Sequence, residues 1–598
     1  MERVADYIIR KVRETGAEHI FMITGRGILY LTDAVARNQD IKHISTYHEQ
    51  GASYAAMAYA LSNGGISACL VSSGCAASNA VTAALCAYQD NLPVVFISGN
   101  NFLQENTRHT KVSIRTYGSQ EVDIIKIVES VTKYAVMLEY ADQVVFEVEK
   151  ALYYAQNGRK GPVWIDVPLD VQNMRIDEGK LKHFKVPALE SQSWKGQIKN
   201  SAEIIAEELN NAKRPVLLIG GGVRGAADEV KTVVEKYHIP LAFSPAASDI
   251  YGTGHALSIG AVGSLGGTRA GNFAVQNADY ILAVGTKLCS QETGMKIAFA
   301  RNAKIIVVDI DKKEHTKDGV HIDRVINADA KELLAILADQ NFSVTSCLWT
   351  EKCMAWKETF SIQKEKFIQE LIKCDILDLY QVADVLSDWL ADDATVITDA
   401  GFEELIIPST IRFKEGQRCL FPASQGAMGY AIPAILGAFY SGRKNIICVV
   451  GDGSFMMNMQ ELQVISAFHI PVKLFVINNN MYAVIRKRQK DLFRKRTIGN
   501  DPSDGVPVPD FKKIAESFGL PYRKISNRKE LEKYKGQLLN ESITEIIEVC
   551  CTPEQKYLHE SYGINEKKKL VHRPIEDMAP FLEREVMRKE MLVEMMEE

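Results

Sequence analysis

Short apolar runs alternate with longer amphipathic stretches over most of this chain. Near the start, HIFMI, ISACLVSS and LPVVFISG have the length of strands, and helical patterns separate them. The same alternation returns in residues 215–311 and again from residue 394 onward. Strands that alternate with helices predict open parallel sheets with helices on both faces. The expected fold class is therefore α/β, with three doubly wound parallel-sheet domains.

The length of the chain agrees with several domains. A chain of 598 residues corresponds to roughly three or four domains at about 150 residues each. We predict a first domain over residues 1–173, a central domain over 201–341, a third domain over 376–552 and a tail over 553–598. The polar, irregular stretch from Met174 to Asn200 is typical of a linker. The final residues, REVMRKEMLVEMMEE, predict a surface helix.

Composition excludes several classes of protein. Hydrophobic residues make up 46% and charged residues 24% of the chain, and the formal net charge of −5 gives no case for binding nucleic acid or a membrane. The eleven cysteines include no CxxC pair, so neither a disulfide framework nor a zinc site is indicated. The amino terminus is an amphipathic helix rather than a signal peptide, and no apolar run reaches about 18 residues. We expect a cytoplasmic protein.

Polar residues follow two apolar runs in the third domain. The run from Ile446 to Val450 ends in Gly-Asp-Gly-Ser, and the run from Val472 to Ile477 continues into three asparagines. Neighbouring strands of a parallel sheet would bring Asp452 and Asn479 together, and their oxygens suit a hard cation such as Mg²⁺, which normally also binds phosphate. DG and NN are also ordinary turn chemistry. The separation of 27 residues between Asp452 and Asn479 favours the cation site.

This spacing resembles the thiamine-diphosphate motif, and the surrounding sequence resembles acetolactate synthase and its relatives. The resemblance implies that Asp452, Asn479 and the Met481 carbonyl hold Mg²⁺, which in turn holds the diphosphate of the cofactor. It also implies that the rest of the motif contacts the cofactor, through Gly451, Gly453 and Ser454.

The first domain carries matching segments. The run HEQGASYAAMAYA resembles the family's HExxAxxxAxGxAR segment, and Glu49 matches the glutamate that hydrogen-bonds N1′ of the aminopyrimidine. A carboxyl there can carry the proton that the pyrimidine exchanges during catalysis. By itself, an acidic residue in a first helical turn is explained by the helix dipole. The resemblance further implies a catalytic role for Gln120 and cofactor contacts for Gly25 and Asn79.

The third domain completes the implied cofactor site and departs from the family at two positions. The segment SQGAMGYAIPA matches GLGAMGFGLPA, so Met428 falls on the residue that wedges between the cofactor rings, and the Gly426 carbonyl on the acceptor for the 4′-amino group. Gly401 begins a segment in which the family has Gln and His. Phe402 and Glu403 stand there instead, and a carboxylate beside the diphosphate would be unfavourable.

Other departures concern the acceptor and the central domain. Arg488 stands where acetolactate synthases keep a tryptophan that selects the acceptor, and together with Arg26 and Ile485 it is a candidate to contact the acceptor. A guanidinium there would suit a carboxylate or a diphosphate. In the central domain, GTKLCSQ replaces the family's GxRFDDR segment. We therefore expect a structural central domain without bound FAD.

The resemblance implies decarboxylation of a 2-ketoacid, pyruvate being the first candidate, and transfer of the two-carbon unit to an acceptor carbonyl. The absence of the family's acceptor-selecting tryptophan and the presence of Arg26 and Arg488 favour an acceptor other than pyruvate, such as a nucleotide-linked keto-sugar. A true acetolactate synthase that joins two pyruvates is one alternative, and a catalytically inactive cofactor-binding protein is another. Cofactors would be thiamine diphosphate and Mg²⁺. The resemblance implies a homodimer or homotetramer with sites at subunit interfaces.

Overall fold

The computed structural model describes residues 1–187, 191–341, 347–534, 543–564 and 570–596, without the side chains of 191–195 and 564. Three six-stranded sheets dominate it, and every strand pair in them is parallel. Helices cover both faces of each sheet, so the predicted α/β class with three doubly wound sheets is confirmed. No helix in the described ranges is both long enough and apolar enough to cross a bilayer.

The first and third sheets have the same topology. In the first sheet the strands lie in the order Lys42–Ser45, His19–Met22, Ser67–Val71, Val94–Asn100, Val163–Pro168, Tyr134–Met137. In the third sheet the order is Arg418–Leu420, Ala394–Thr398, Lys444–Gly451, Val472–Asn478, Glu545–Cys550, Tyr522–Ile525. In both, the strand order reverses beside the first strand along the chain, which is where doubly wound sheets bind ligands.

The central sheet follows a different order. Its strands are Ser258–Ala261, Leu241–Phe243, Pro215–Ile219, Tyr280–Val284, Lys304–Asp309 and Arg324–Asn327. This order is that of dinucleotide-binding folds. Gly220 and Gly285 meet at the reversal point, where a Cβ on Gly220 would lie 2.5 Å from the Cα of Thr286. The backbones of these two loops therefore pack closely at the switch point.

The longer helices lie between the strands. In the first domain they are Val4–Glu14, Leu29–Arg37, Glu49–Asn63, Val81–Gln89 and Val144–Gln156. In the central domain they are Ser191–Asn211, Ala227–Tyr237, Arg269–Asn277 and Ala330–Ala338. Cys347–Thr359 and Lys366–Lys373 lie between the central and third domains. In the third domain and tail they are Leu379–Trp389, Glu403–Thr410, Ala431–Tyr440, Ala483–Leu492, Phe511–Ser517 and Arg584–Glu590. The helix that begins at Ser191 occupies the end of the stretch predicted to be an irregular linker.

The first and third domains share one hydrophobic core. Helix Glu49–Asn63 packs against helix Ala431–Tyr440, and apolar side chains of both domains form a continuous buried cluster. Tyr54 and Tyr430 meet edge to face with ring centroids 5.5 Å apart. Gly437 permits the close approach, because a Cβ there would overlap the Ala55 carbonyl. The loops at the carboxyl ends of the two sheets are thereby held at one junction.

The chain end corrects one prediction. Helix Arg584–Glu590 is not a surface helix throughout, because Met587 is fully buried in the apolar cluster that contains Phe273 and Trp356 of the central region. The Glu590 carboxylate accepts a hydrogen bond of 2.8 Å from Nε1 of Trp356. Apolar burial of this kind anchors the tail to the central domain.

Candidate active site

Asp452 lies at the carboxyl end of strand Lys444–Gly451. Its Oδ1 accepts a hydrogen bond of 2.7 Å from the Gly453 N–H, and its Oδ2 accepts one of 2.8 Å from the Asn480 N–H. Burial raises the pKa of Asp452 to about 6, and these N–H groups oppose the shift. The second bond ties the loop after strand Val472–Asn478 to the loop that carries Asp452.

The neighbouring asparagine has an unused oxygen. Oδ1 of Asn479 is buried, and no donor among the described residues reaches it. A buried amide oxygen without a partner is costly unless something binds it. A carboxylate and an amide oxygen on adjacent strand ends form an all-oxygen donor set, which fits Mg²⁺. Asp452 and Asn479 are thus suited to hold the ion. The Met481 side chain is partly buried, and the role of its carbonyl stays a prediction.

Glycines stand around Asp452 at positions where a side chain would not fit or would be strained. Gly401 and Gly426 have backbone φ values of +102° and +52°, which residues other than glycine rarely adopt. A Cβ on Gly453 would overlap the Tyr482 ring, and one on Gly451 would lie 3.2 Å from the Glu403 carboxyl. Gly453 therefore allows the Tyr482 ring, and Gly451 the Glu403 carboxyl, to approach the backbone on either side of Asp452.

Ser454 and Met428 lie on the opposite side of the same loop cluster. The Ser454 hydroxyl donates a hydrogen bond of 2.6 Å to Oδ2 of Asp399 and accepts one of 2.8 Å from the Gly429 N–H. The buried hydroxyl therefore braces the loop that carries Met428, whose side chain is partly exposed. A direct contact of either residue with the cofactor remains a prediction.

The two unusual residues after Gly401 have a physical explanation. The Phe402 ring is buried against Tyr557, with centroids 4.6 Å apart, and the Tyr557 hydroxyl donates to the Gly401 carbonyl over 2.8 Å. Glu403 is buried beside Gly401 and Gly451, and burial raises its pKa to about 8. The raised pKa favours the uncharged form of the carboxyl, and that form would weaken the repulsion expected between a carboxylate and a diphosphate. The sequence carried no signal for Tyr557.

The first domain brings Glu49 and Asn79 together. Glu49 is the first residue of helix Glu49–Asn63 and is partly buried, and Nδ2 of Asn79 donates to its Oε2 over 3.0 Å. Gly25 lies on the neighbouring loop, where a Cβ would stand 2.5 Å from the Ser72 hydroxyl. Gln120 is exposed in the left-handed region at φ +63°, and its carbonyl approaches Gly74. The structure does not bring the Gln120 side chain into contact with Glu49.

The third domain of the same chain reaches the Glu49 loop. Nδ2 of Asn458 donates to Oε1 of Gln50 over 2.9 Å and to the Gly429 carbonyl over 2.8 Å. Asn458 thus joins the residue after Glu49 to the residue after Met428. Sequence reasoning missed Asn458, because both partners are distant in sequence.

The candidate acceptor residues are exposed. Ile485 and Arg488 are three positions apart on helix Ala483–Leu492 and share one face. Arg26 begins the short helix Arg26–Ile28 beside Gly25. Within the described ranges, neither arginine has a carboxylate within ion-pairing distance. Lys487, by contrast, pairs with Asp491 and with Glu560 of the tail at 2.9 and 3.2 Å.

Lys287 belongs to the segment GTKLCSQ of the central domain. Its Nζ donates to the Gln89 carbonyl over 2.6 Å and to the Ser424 hydroxyl over 2.8 Å. One side chain of the central domain therefore joins the first domain to the third. This use of Lys287 is structural.

Asp452 and Asn479, which suit Mg²⁺, follow strands of one doubly wound sheet. A second sheet of the same topology lies beside it and presents Glu49, which Asn79 holds. Together these two features define the class of thiamine-diphosphate enzymes. Comparison with known families agrees. Family models for the N-terminal TPP binding domain, the central domain and the C-terminal TPP binding domain of thiamine pyrophosphate enzymes match residues 2–127, 202–337 and 399–549. The chain belongs to the thiamine pyrophosphate enzyme family, and its cofactors are thiamine diphosphate and a divalent metal ion, Mg²⁺.

Curated relatives extend the match over most of the chain. The acetolactate synthase large subunit of Lactococcus lactis is 30% identical and covers 88% of each chain. The acetolactate synthase of Arthrospira platensis is 30% identical, and the isozyme 1 large subunit of the Escherichia coli enzyme is 29% identical. Each of these two alignments covers 92% of this chain and 94% of the relative.

Proposed function

We propose that the chain is a thiamine-diphosphate-dependent carboligase of the acetolactate synthase type, which decarboxylates pyruvate and adds the two-carbon unit to an acceptor carbonyl. The observation that carries the proposal is the Glu49 carboxylate, held by Asn79 at the edge of the first sheet. The retention of Glu49, Asp452 and Asn479 together argues against an inactive binding protein.

The bound cofactor supplies a nucleophilic carbon and an electron sink. The residues of the chain would bind the cofactor and its metal ion and would move the proton. Asp452 and Asn479 hold the metal ion, and Gly451 and Gly453 let the backbone come close to the diphosphate. Glu49 would take up and release a proton at its carboxyl oxygens, beside the position that the aminopyrimidine of the cofactor would occupy, a role typically worth about 10²–10⁴-fold in rate.

We infer an anionic acceptor larger than pyruvate. Two exposed guanidiniums, Arg26 and Arg488, support this inference, and Ile485 adds an apolar surface beside Arg488. Neither forms an ion pair within 4 Å among the described residues. Burial raises the pKa of the Glu560 carboxyl, and the charge of Arg488 acts on that carboxyl and opposes the rise. Arginine binds carboxylates and phosphates in a bidentate manner. A keto-sugar linked to a nucleotide diphosphate has the required charge and carbonyl. The joining of two pyruvates is the second candidate, and the acetolactate synthases among the relatives favour it.

We also propose a homodimer or homotetramer in which a second subunit completes each site. Large apolar side chains are exposed beside both halves of the site, among them Tyr47 near Glu49, and Ile485 and Phe493 near Arg488. Exposed apolar surface of this kind marks an interaction site. Light scattering of the purified protein tests the proposal, and a monomer at micromolar concentration would contradict it.

The function is tested with purified protein, thiamine diphosphate, Mg²⁺ and pyruvate, while CO₂ and acetolactate are followed together. Acetolactate formed in step with CO₂ would identify the two-pyruvate reaction. Slow CO₂ release without acetolactate would support another acceptor, and a nucleotide-linked keto-sugar should then accelerate CO₂ release. The variant Arg488→Ala should raise the KM for that anionic acceptor, while Arg523→Ala, on an outer strand, serves as a control. Full turnover in Glu49→Gln would overturn the proposal.

A further inference from the structure

A carboxylate of the third domain accepts hydrogen bonds from the backbone immediately before Glu49. Glu461 is fully buried at the end of the turn Met459–Glu461. Its Oε1 accepts hydrogen bonds of 3.1 Å from the N–H groups of both Tyr47 and His48, and its Oε2 lies at the same distance from the Tyr47 N–H. These two N–H groups precede helix Glu49–Asn63, so the helix itself offers them no acceptor.

The residues after Glu49 are held from the same side. Gly51 leaves room for the carboxylate, because a Cβ there would stand 2.5 Å from Oε1 of Glu461. Asn458, in the turn before Glu461, bonds to Gln50. The backbone on both sides of Glu49 is therefore fixed by one short segment, residues 458–461, which follows Asp452 in the chain.

The energetics suggest a purpose beyond packing. A buried carboxylate loses its hydration, and burial raises the pKa of Glu461 to about 7 while the Tyr47 and His48 N–H groups oppose the shift. An uncharged side chain would avoid this cost. The carboxylate provides two strong acceptor oxygens for the adjacent N–H groups of Tyr47 and His48, which would otherwise lack acceptors.

We propose that Glu461 is a positioning residue that orients Glu49 for proton transfer. It acts through the backbone of Tyr47 and His48, and it links the loop of Asp452 to the loop of Glu49 within one chain. The inference rests on the proposed function, since the orientation of Glu49 matters only if Glu49 takes part in turnover.

Hydrogen exchange of the protein without cofactor tests the contact directly. In Glu461→Ala, exchange of the Tyr47 and His48 amides should rise by roughly tenfold or more, as expected when a hydrogen bond to a charged acceptor is lost. Glu461→Gln keeps one acceptor oxygen and should give a smaller rise. The matched control is Glu545→Ala, which removes another buried carboxylate of the same domain, paired with Lys473 and Arg523. Unchanged exchange in a folded Glu461→Ala protein would overturn the proposal.

Turnover separates positioning from general stability. Glu461→Ala should lower kcat by roughly ten- to a hundredfold with unchanged affinity for thiamine diphosphate. Combined with Glu49→Gln, it should add no further loss, because both changes act on one step. If Glu461→Ala does not fold, Gly51→Ala displaces the carboxylate from the other side and should give the same non-additivity. If the kcat losses of the two single variants multiply in the double variant, the inference about Glu461 is overturned and the proposed function is not. Full turnover in Glu49→Gln would overturn the proposed function, and the hydrogen-exchange result would still hold.

Discussion

Asn79 donates a hydrogen bond of 3.0 Å to the carboxylate of Glu49. Asn79 ends the short helix Cys75–Asn79, which follows strand Ser67–Val71. Glu49 follows strand Lys42–Ser45 and begins a helix that is buried in the core shared with the third domain. The carboxylate is therefore fixed from two directions, by its helix and by Asn79.

This bond gives a first prediction. Asn79→Ala should lower kcat by roughly tenfold or more, because a hydrogen bond to a charged group is worth about 1.5–3 kcal/mol. Asn79→Asp should lower it further, since two carboxylates would then face each other. Steady-state kinetics checks both variants, with thermal unfolding as the control for folding. An unchanged kcat in Asn79→Ala would show that the bond does not orient Glu49 for the reaction.

A second prediction concerns the metal ion. Mg²⁺ with thiamine diphosphate should stabilise the folded protein by about 2.7 kcal/mol at a hundred times the dissociation constant, and chelation should remove that gain. Asp452→Asn and Asn479→Ala should weaken or abolish the effect, because they remove the two oxygens suited to the ion. The exposed Asp392, paired with Lys414 on the surface, provides the control Asp392→Asn. A full Mg²⁺-dependent rise in Tm in Asp452→Asn would contradict this assignment.

The meeting of the Asp452 and Asn479 loops could be predicted from the sequence because its signal is local. Asp452 and Asn479 each follow an apolar strand, and adjacent parallel strands place their ends together. Glu461 gave no such signal, since its partners are backbone N–H groups more than 400 residues away. The raised pKa of Glu403 depends on burial, which the sequence around it does not reveal.

The tail illustrates a different reason for error. Met587 and Met591 are four positions apart, the spacing of one helix face, so the pattern of a buried stripe was present in the sequence. Charged residues around them suggested a surface helix instead. Only the packing against Trp356 decides which face of the helix is covered.

A third prediction is a pH dependence that arises from Asp166. This side chain is fully buried between Ser98 and Asn100, which donate to it over 2.6 and 2.8 Å, and burial raises its pKa from 3.8 to about 7. Because the folded state holds the proton more tightly, the stability that this group contributes is fully present below about pH 4 and is lost as the pH rises through about 7. The upper limit of the change is about 4 kcal/mol.

Substitution of Asp166 tests this directly. Asp166→Asn cannot ionise, so the Tm of the natural protein relative to this variant should fall between pH 5 and pH 8. Thermal unfolding without cofactor at the two pH values measures the difference, and Asp40→Asn, at an exposed site of the same domain, is the control. A constant difference between the two proteins across this range would refute the assignment.

The last prediction tests how the tail is anchored. Met587 is fully buried on helix Arg584–Glu590, whereas its neighbour Val586 is exposed. Met587→Ala should lower the free energy of unfolding by about 2–5 kcal/mol, because it leaves a cavity against the central domain. Val586→Ala removes a side chain from the same turn and should change stability by about 0.5 kcal/mol or less. Chemical denaturation compares the two variants. Equal effects would mean that the helix does not dock on the central domain through Met587.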